Sequence, residues 1–522
     1  MNRARGIARI KSESLPWDMV IIGGGATGLG CALDSVSRGY RTLLLEQADF
    51  SNGTSSRSTK LIHGGVRYLR QGNVSLVKES LAERGWLLNH VPHLVTPQLF
   101  LIPTYSWVET WYYRMGLWMY DRLAGSLRIH SSKRCNKEQA LERVPTLKSD
   151  TLAGGVVYWD GQFDDARLCV QTVKTIWRRG HLALNYMKVT RLNKEAGRVT
   201  GIEVLDTVGN ETFSINARVV IQATGIFSDT IRAEDTPNVK PIIRSSRGSH
   251  LVVDGDFLPN GNAIMVPKTS DGRLLFLVPW LGKVIVGTTD VPDDDLCLEP
   301  KPTEEEIEFM LENAAPYLTR PIEKKDIRSV YSGLRPLVMD PKKQGDTSAL
   351  SRNHVIEVSP SGLITIAGGK WTTFRKMGED AIDKAIEVGQ LAERASRSMA
   401  TRYSAYDEDL PKEPTRFGQF GLDARHLKTM ISWKPKLDEA IHERLPYCWA
   451  EVLWAIENEL VESVEDVLSR RTRSLLLDAQ AAIEAAPEVA RFMAKKMDRD
   501  EAWIQSSVDS FLEIANNYLP KS

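Results

Sequence analysis

Hydrophobic and polar positions follow two rhythms along this chain. Asp18 to Ile22 is a short apolar run of the kind a strand buried on both faces requires, and it flows into Gly23-Gly24-Gly25-Ala26-Thr27-Gly28. A helix of small and apolar residues, Leu29 to Ser37, is expected next, with Gly39 placed to end it. A second apolar run, Arg41 to Leu45, carries Glu46 at its end and completes a strand–helix–strand unit of roughly thirty residues. Ala217 to Gln222 predicts a strand ending in Ala223-Thr224-Gly225. Leu363 to Ala367 predicts another, ending in Gly368-Gly369-Lys370 before a helical stretch, Thr372 to Val388.

Between these pieces the rhythm changes to period two. His250 to Val253, Ala263 to Pro267, Arg273 to Val278 and Lys283 to Gly287 alternate as antiparallel strands do, with an Asp271-Gly272 turn signal joining two of them. From about Gly389 to Ser522 helical periodicity takes over, and Pro411 to Pro435 has the composition of a connecting stretch. The expected fold class is α/β, with an α+β substrate domain. A discontinuous Rossmann-like domain (17-90, 160-235 and 330-388) is followed in space by an antiparallel-sheet substrate or membrane-facing domain (91-159 and 236-329). A C-terminal helical domain spans 389-522.

Composition narrows the chemistry. At 522 residues, 42% hydrophobic and 26% charged, the chain is too long for one core and too evenly mixed for disorder. Its 67 Lys and Arg balance 67 Asp and Glu, which removes the broad basic footprint of a nucleic-acid binder and makes any anion site local. Five cysteines without CxxC spacing point to buried thiols in a reducing compartment and away from a cysteine zinc site; no metal is expected. No apolar run reaches the ~18 residues of a spanning helix, and Met1 to Trp17 is basic without a signal-type apolar core, so a soluble or peripheral protein is expected.

Gly23, Gly25 and Gly28 match GxGxxG. The first permits a tight turn, the second lets backbone approach a pyrophosphate, and the third lets helix pack on strand. The bare pattern also suits glycines that merely turn a strand into a helix. Glu46, about twenty residues on, is placed to accept ribose hydroxyls and to repel a 2′-phosphate, which favours FAD or NAD over NADP. The next segment, Thr54 to Tyr68, is packed with hydroxyls and glycines and suits the ribityl-pyrophosphate stem of FAD. Within it Thr54, Ser55, Ser56, Lys60, His63 and Gly65 are expected cofactor contacts, joined by Thr224, Gly225, Gly369 and Thr372.

On these residues the chain resembles the respiratory FAD-dependent glycerol-3-phosphate dehydrogenases, bacterial and mitochondrial flavoenzymes that pass electrons to quinone. The strings that carry the likeness are TSSRSTKLIHGGVRYL (Thr54 to Leu69), DDARL, RGSHLVV, GTTD, YSGLRPL, GGKWTTFRKM (Gly368 to Met377) and SRRTRSLLLDA. The chain departs from the family pattern at Ile226-Phe227-Ser228, where Pro-Trp-Val is expected, and by extending through Met1 to Trp17 ahead of the usual start.

The resemblance implies a D-amino-acid-oxidase-like two-domain core with a helical cap. It also implies oxidation of sn-glycerol 3-phosphate to dihydroxyacetone phosphate, with membrane quinone as electron acceptor and a possible homodimer. The implied location is cytoplasmic, peripheral at the inner face of the cell membrane. Two alternatives stay open: a glycerol-3-phosphate oxidase using oxygen, although such relatives carry a mid-chain insertion absent here, and a non-catalytic FAD-holding peripheral membrane scaffold.

By motif, Arg67, Arg335, Arg352 and Lys370 are the cationic set for the phosphate. Oxidising a secondary alcohol needs a base near the flavin and a stabiliser of the developing oxyanion. His250 is the candidate base, Lys370 the second candidate, and Arg335 the alkoxide holder. The helix after Gly369 would turn its positive end towards the flavin. Finally Trp107, Trp111, Tyr112, Tyr113, Trp118 and Tyr120, interleaved with Arg114 and Arg122, fit either an interfacial helix or an aromatic core helix; the resemblance favours the membrane.

Overall fold

The computed structural model describes residues 1–66, 72–339, 353–406 and 416–520. One sheet runs in the order His354–Val358, Ile364–Gly368, Glu211–Gln222, Trp17–Ile22, Thr42–Leu45 and Leu182–Leu184. All of its pairings are parallel except the first. Central parallel strands are covered on both faces, which is why Met19, Val20 and Ile21 are all fully buried and the sequence there is an unbroken apolar run. Met187–Glu195 and Arg198–Asp206 extend the sheet as an antiparallel meander on Glu211–Gln222.

The helices Ala26–Ser37, Asp165–Arg178 and Phe374–Gly389 pack on this sheet. The first and last of these meet backbone to backbone. A Cβ on Gly30 would stand 2.2 Å from the Phe374 carbonyl oxygen, and one on Gly378 would stand 2.2 Å from Gly30, so only glycine fits at either position.

The second sheet is built on the long antiparallel pair Ile243–Asp254 and Ile327–Val338 and continues through Lys283–Gly287, Leu275–Trp280, Ala263–Val266, Val95–Thr104 and Gly154–Phe163. It is antiparallel as expected, with the addition of one parallel pair, Ala263–Val266 against Val95–Thr104. The division at residue 330 falls inside Ile327–Val338, whose whole length belongs to this second sheet. The helix Glu304–Ala314 covers one face through Ile307, Met310 and Ala314.

Beyond residue 389 the described chain is helical. Ala479–Met497 presents Ala482, Ala485, Ala486, Val489 and Met493 at helical spacing to Phe511 and to Trp280 and Tyr331 of the second sheet. One expectation needs correction. Pro411 to Pro435 is not merely a connection: residues 411–415 lie outside the described set, but Ala424–Trp433 is a helix whose Leu427, Met430 and Ile431 pack with Trp454. The basic N-terminal segment forms the helix Arg3–Ser12, tied down by the Arg3–Asp206 ion pair.

Candidate functional site

Two contiguous cavities run from the glycine loop to the second sheet, sharing Thr54, Pro336, Gly369, Lys370 and Trp371 as walls. The outer one, about 690 Å³, begins at the N-terminus of Ala26–Ser37. Gly23 there has φ +113°, and a Cβ would stand 2.5 Å from the Ala223 carbonyl oxygen; at Gly28 a Cβ would stand 1.9 Å from Gly23 O. Both positions therefore demand glycine, for turn and packing respectively. At Gly25 a Cβ would crowd Ser55 Oγ at 2.9 Å, and that oxygen already accepts from Ala26 N. Glu46 accepts from the Gly24 and Ala48 amides at 2.6 and 3.0 Å, while desolvation holds its carboxyl above the ordinary glutamate range. Thr224 and Gly225 line the opposite wall.

The inner cavity collects the chemistry. His63 and Gly65 border it, and Thr372 Oγ1 accepts from the His63 amide at 3.3 Å. Gly369 has φ +80°, turning the chain just ahead of the helix Phe374–Gly389. Arg335 donates to Thr288 Oγ1 at 2.8 Å, Thr289 O at 3.1 Å and Asp290 Oδ1 at 3.3 Å. It lies across Gly248, where a Cβ would stand 2.1 Å from its Nη2, which explains the glycine in RGSH. Lys370 Nζ donates to Ser80 Oγ at 2.7 Å.

His250 is paired across strands with Tyr331, and their rings stack at 4.6 Å and 11°. Burial, then the positive charges of Arg335 and Lys60, push its imidazole well below the usual histidine range, favouring the neutral ring.

His250, Arg335 and Lys370 thus line one cavity. Arg67 and Arg352 lie outside the described residues. Ser56 and Lys60 are corrections, because neither borders either cavity. Lys60 is fully buried between Asp165 (2.6 Å) and the Ser56 carbonyl (2.7 Å), and Ser56 turns inward beneath it. A hydroxyl-rich string signals a cofactor loop, but nothing in it reveals which side chains point backwards to carboxylates a hundred residues away.

Several contributors escaped the sequence reading. Thr59 Oγ1 stands 2.9 Å from His250 Nε2. Glu306, near the start of a helix that reads as solvent-facing, is buried and accepts from Ser249 Oγ, Thr289 Oγ1 and Arg247 Nε, bracing the strand of His250 against the loop that holds Arg335. Its TxxE capping box was the available signal.

The aromatic segment is the helix Trp107–Ala124. Trp107 is 74% exposed, Met115 61%, Tyr112 55% and Trp111 54%, whereas Leu117 and Tyr120 face inward. Tyr120 Oη accepts from the Gly64 amide and donates to Asp160, linking this helix to the cofactor loop. Between the helix and Val66, Met265 and Leu274 lies a groove of about 940 Å³ that meets the inner cavity. Among the described residues no helix is long and apolar enough to cross a membrane.

A glycine-turned parallel sheet joined to a second, mixed sheet around one elongated cavity defines a flavoprotein-type oxidoreductase. The family model of FAD-dependent oxidoreductases matches residues 18–375, and that of the C-terminal domain of alpha-glycerophosphate oxidase matches 367–503. The mitochondrial glycerol-3-phosphate dehydrogenase of Mus musculus is 41% identical over 96% of this chain and 73% of its own length; that of Bos taurus is 40% identical over 99% and 75%. The crystal structure of the glycerol-3-phosphate dehydrogenase from Bacillus halodurans complexed with FAD superposes with a TM-score of 0.80 at 28% identity, covering 99% of this chain and 97% of that one. The chain belongs to the glycerol-3-phosphate dehydrogenase family of FAD-dependent oxidoreductases. Its cofactor is FAD, and the residues fit: a glycine cradle at a helix N-terminus, a carboxylate for the ribose, and the Gly368-Gly369 turn at the far end.

Proposed function

We propose that this chain oxidises sn-glycerol 3-phosphate at C2 to dihydroxyacetone phosphate and passes the electrons to a membrane quinone. The relatives named above are called glycerol-3-phosphate dehydrogenases, and one observation carries the reading here: His250, Arg335 and Lys370 converge in a cavity continuous with the cofactor cradle. Bound FAD supplies the two-electron acceptor. Lys370 and Arg335, with Arg67 and Arg352 as further candidates, bind the phosphate dianion and orient C2. Neutral His250 takes the C2 hydroxyl proton, and the Arg335 guanidinium holds the oxygen as negative charge develops on it.

The exposed aromatic helix supports peripheral docking at the inner face of the membrane, with rings at headgroup depth. The adjoining groove, apolar and open to the inner cavity, suits a quinone ring approaching from the lipid side. Anaerobic mixing of the purified holoenzyme tests the substrate: glycerol 3-phosphate should bleach the flavin and free glycerol should do so far more slowly. Similar kcat/KM for the two would end the phosphate-pocket reading. Reoxidation by a soluble quinone faster than by oxygen is the expected second half-reaction, and rapid peroxide formation would instead make the enzyme an oxidase.

A further inference from the structure

The route of the C2 proton follows from how His250 is enclosed. The residue is only 2% exposed, Tyr331 covers a ring face, and Cδ2 lies where a Cβ on Gly287 would stand 2.3 Å away. Nδ1 is closed from solvent and has no hydrogen-bond partner among the described residues. The remaining nitrogen, Nε2, stands 2.9 Å from Thr59 Oγ1, and Thr59 is half-buried and lines the inner cavity. We infer that Thr59 relays the proton from the C2 hydroxyl of the substrate to His250 Nε2. This inference rests on the alcohol-oxidising reading above.

A hydroxyl suits the task because it donates one proton and accepts through two lone pairs. With Nδ1 carrying the imidazole proton, Thr59 donates to Nε2 and keeps its lone pairs for the substrate hydroxyl. In the step, the substrate O–H bond breaks and its proton bonds to Thr59 Oγ1. Thr59's own O–H bond breaks and that proton bonds to Nε2. The C2 oxygen pair left behind forms the carbonyl as the C2 hydrogen departs with its electron pair, the share that the flavin takes in the proposed reaction. Thr59 ends as a neutral hydroxyl that accepts from the new Nε2–H, so no charge is left on it.

The backbone on either side of Thr59 is held in place. Asp165 accepts from Ser58 N at 3.1 Å, Ser58 Oγ at 2.7 Å and Lys60 Nζ at 2.6 Å, pinning the residues that flank Thr59. Lys60 adopts φ +61°, bending the chain immediately after it, and Arg473 from the C-terminal domain steadies Asp165 at 3.0 Å. Flanking backbone pinned to a buried carboxylate is what a short relay requires.

The test is anaerobic stopped-flow reduction of the holoenzyme by glycerol 3-phosphate. Thr59→Val keeps the shape and removes the hydroxyl, so the reduction rate should fall by about 10²–10³-fold, in the range of lost acid–base catalysis, with FAD content kept. Thr59→Ser restores the hydroxyl and should recover most of the rate. A Thr59→Val enzyme that holds FAD and is reduced at near the parental rate overturns the relay, and so does a Thr59→Ser enzyme as slow as Thr59→Val. If Thr59→Val loses FAD, Thr59→Ala is judged by the same criteria. His250→Asn run alongside separates the levels. Near-parental reduction of that variant removes the acceptor and hence the relay, whereas a parental enzyme that glycerol 3-phosphate does not reduce brings down the substrate reading itself.

Discussion

The helix Trp107–Ala124 turns Trp107, Trp111, Tyr112 and Met115 to solvent, whereas the segment from Asp466 to Arg473 buries Arg470, Arg471 and Arg473 at 1–2% exposure. Apolar rings outside and guanidinium groups inside invert the usual partition, and the two inversions have opposite causes. Each buried arginine is matched by carboxylates from elsewhere in the chain. Arg471 forks onto Asp49 at 2.6 and 2.9 Å, Arg470 reaches Asp49 at 2.5 Å, and Arg473 reaches Asp165. The Asp49 contacts stitch the C-terminal domain to the loop that follows Glu46, and the Asp165 contact ties it to the start of the helix Asp165–Arg178. Among the described residues the exposed rings have no such cover, which is the condition the docking proposed above requires. One face is left open, the other is tied to the cofactor loop.

If that contrast is right, the largest effect belongs to the inside. Arg471→Met leaves Asp49 a buried charge with half its neutralisation, and breaking such a pair typically costs ~3–5 kcal/mol. Thermal unfolding should shift down by many degrees and purified protein should lose flavin. An unchanged Tm with full FAD would show that Arg470 alone suffices. The outside should behave conversely. Trp111→Ser with Trp118→Ser should leave Tm nearly unmoved, as exposed substitutions usually do within about 0.5 kcal/mol, yet sharply weaken sedimentation with vesicles. If this variant pellets as the parent does, the helix does not carry the vesicle contact and the comparison breaks.

A smaller, pH-dependent effect separates matched from unmatched carboxylates within the buried region. Two arginines hold the Asp49 carboxyl down to about 2, so its stabilisation is present above the ordinary aspartate value near 3.8 and is lost as pH falls between the two. Glu451, buried and meeting mainly the Cys448 amide and Gln419, is pushed up to about 7. Its folded form binds the proton more tightly than the unfolded one, so stability falls as pH rises from about 4.5 to 7. Glu451→Gln should therefore raise Tm more at pH 8 than at pH 5; the reverse order would sink this reading. The smallest effect is expected at Arg122, which lies 4.9 Å over the Trp118 ring. Arg122→Gln should weaken binding to anionic vesicles several-fold, near the ~1 kcal/mol of one juxtamembrane cation, and leave neutral vesicles unaffected.

The parallel sheet, the glycine turns and the cavity-facing His250 and Arg335 were legible because each obeys a local rule: apolar runs, φ-permissive residues, cations in gly-flanked strings. The buried arginines were not, since a basic string is ordinarily solvated and the partners that change this lie as far as 422 residues away. Lys60 misled for the same reason, its partner Asp165 being 105 residues distant. Thr59 sat in the string assigned to the cofactor, yet only the fold brings it against His250. The helix Ala424–Trp433 was hidden by the prolines and charges around it, which outweighed three apolar residues at helical spacing.

The contact between Gly30 and Gly378 sets a length. The helices Ala26–Ser37 and Phe374–Gly389 both begin at the wall of the long cavity, one at the ribose and pyrophosphate end, the other beside His63 and Lys370. Because they touch through bare backbone, with no side chain between to compress or rotate, the separation of their positive ends is a fixed gauge. A ligand must span it to satisfy both at once, so a mononucleotide would engage one end and leave the other unanswered. A single methyl group at either glycine would rescale the gauge without touching the cofactor.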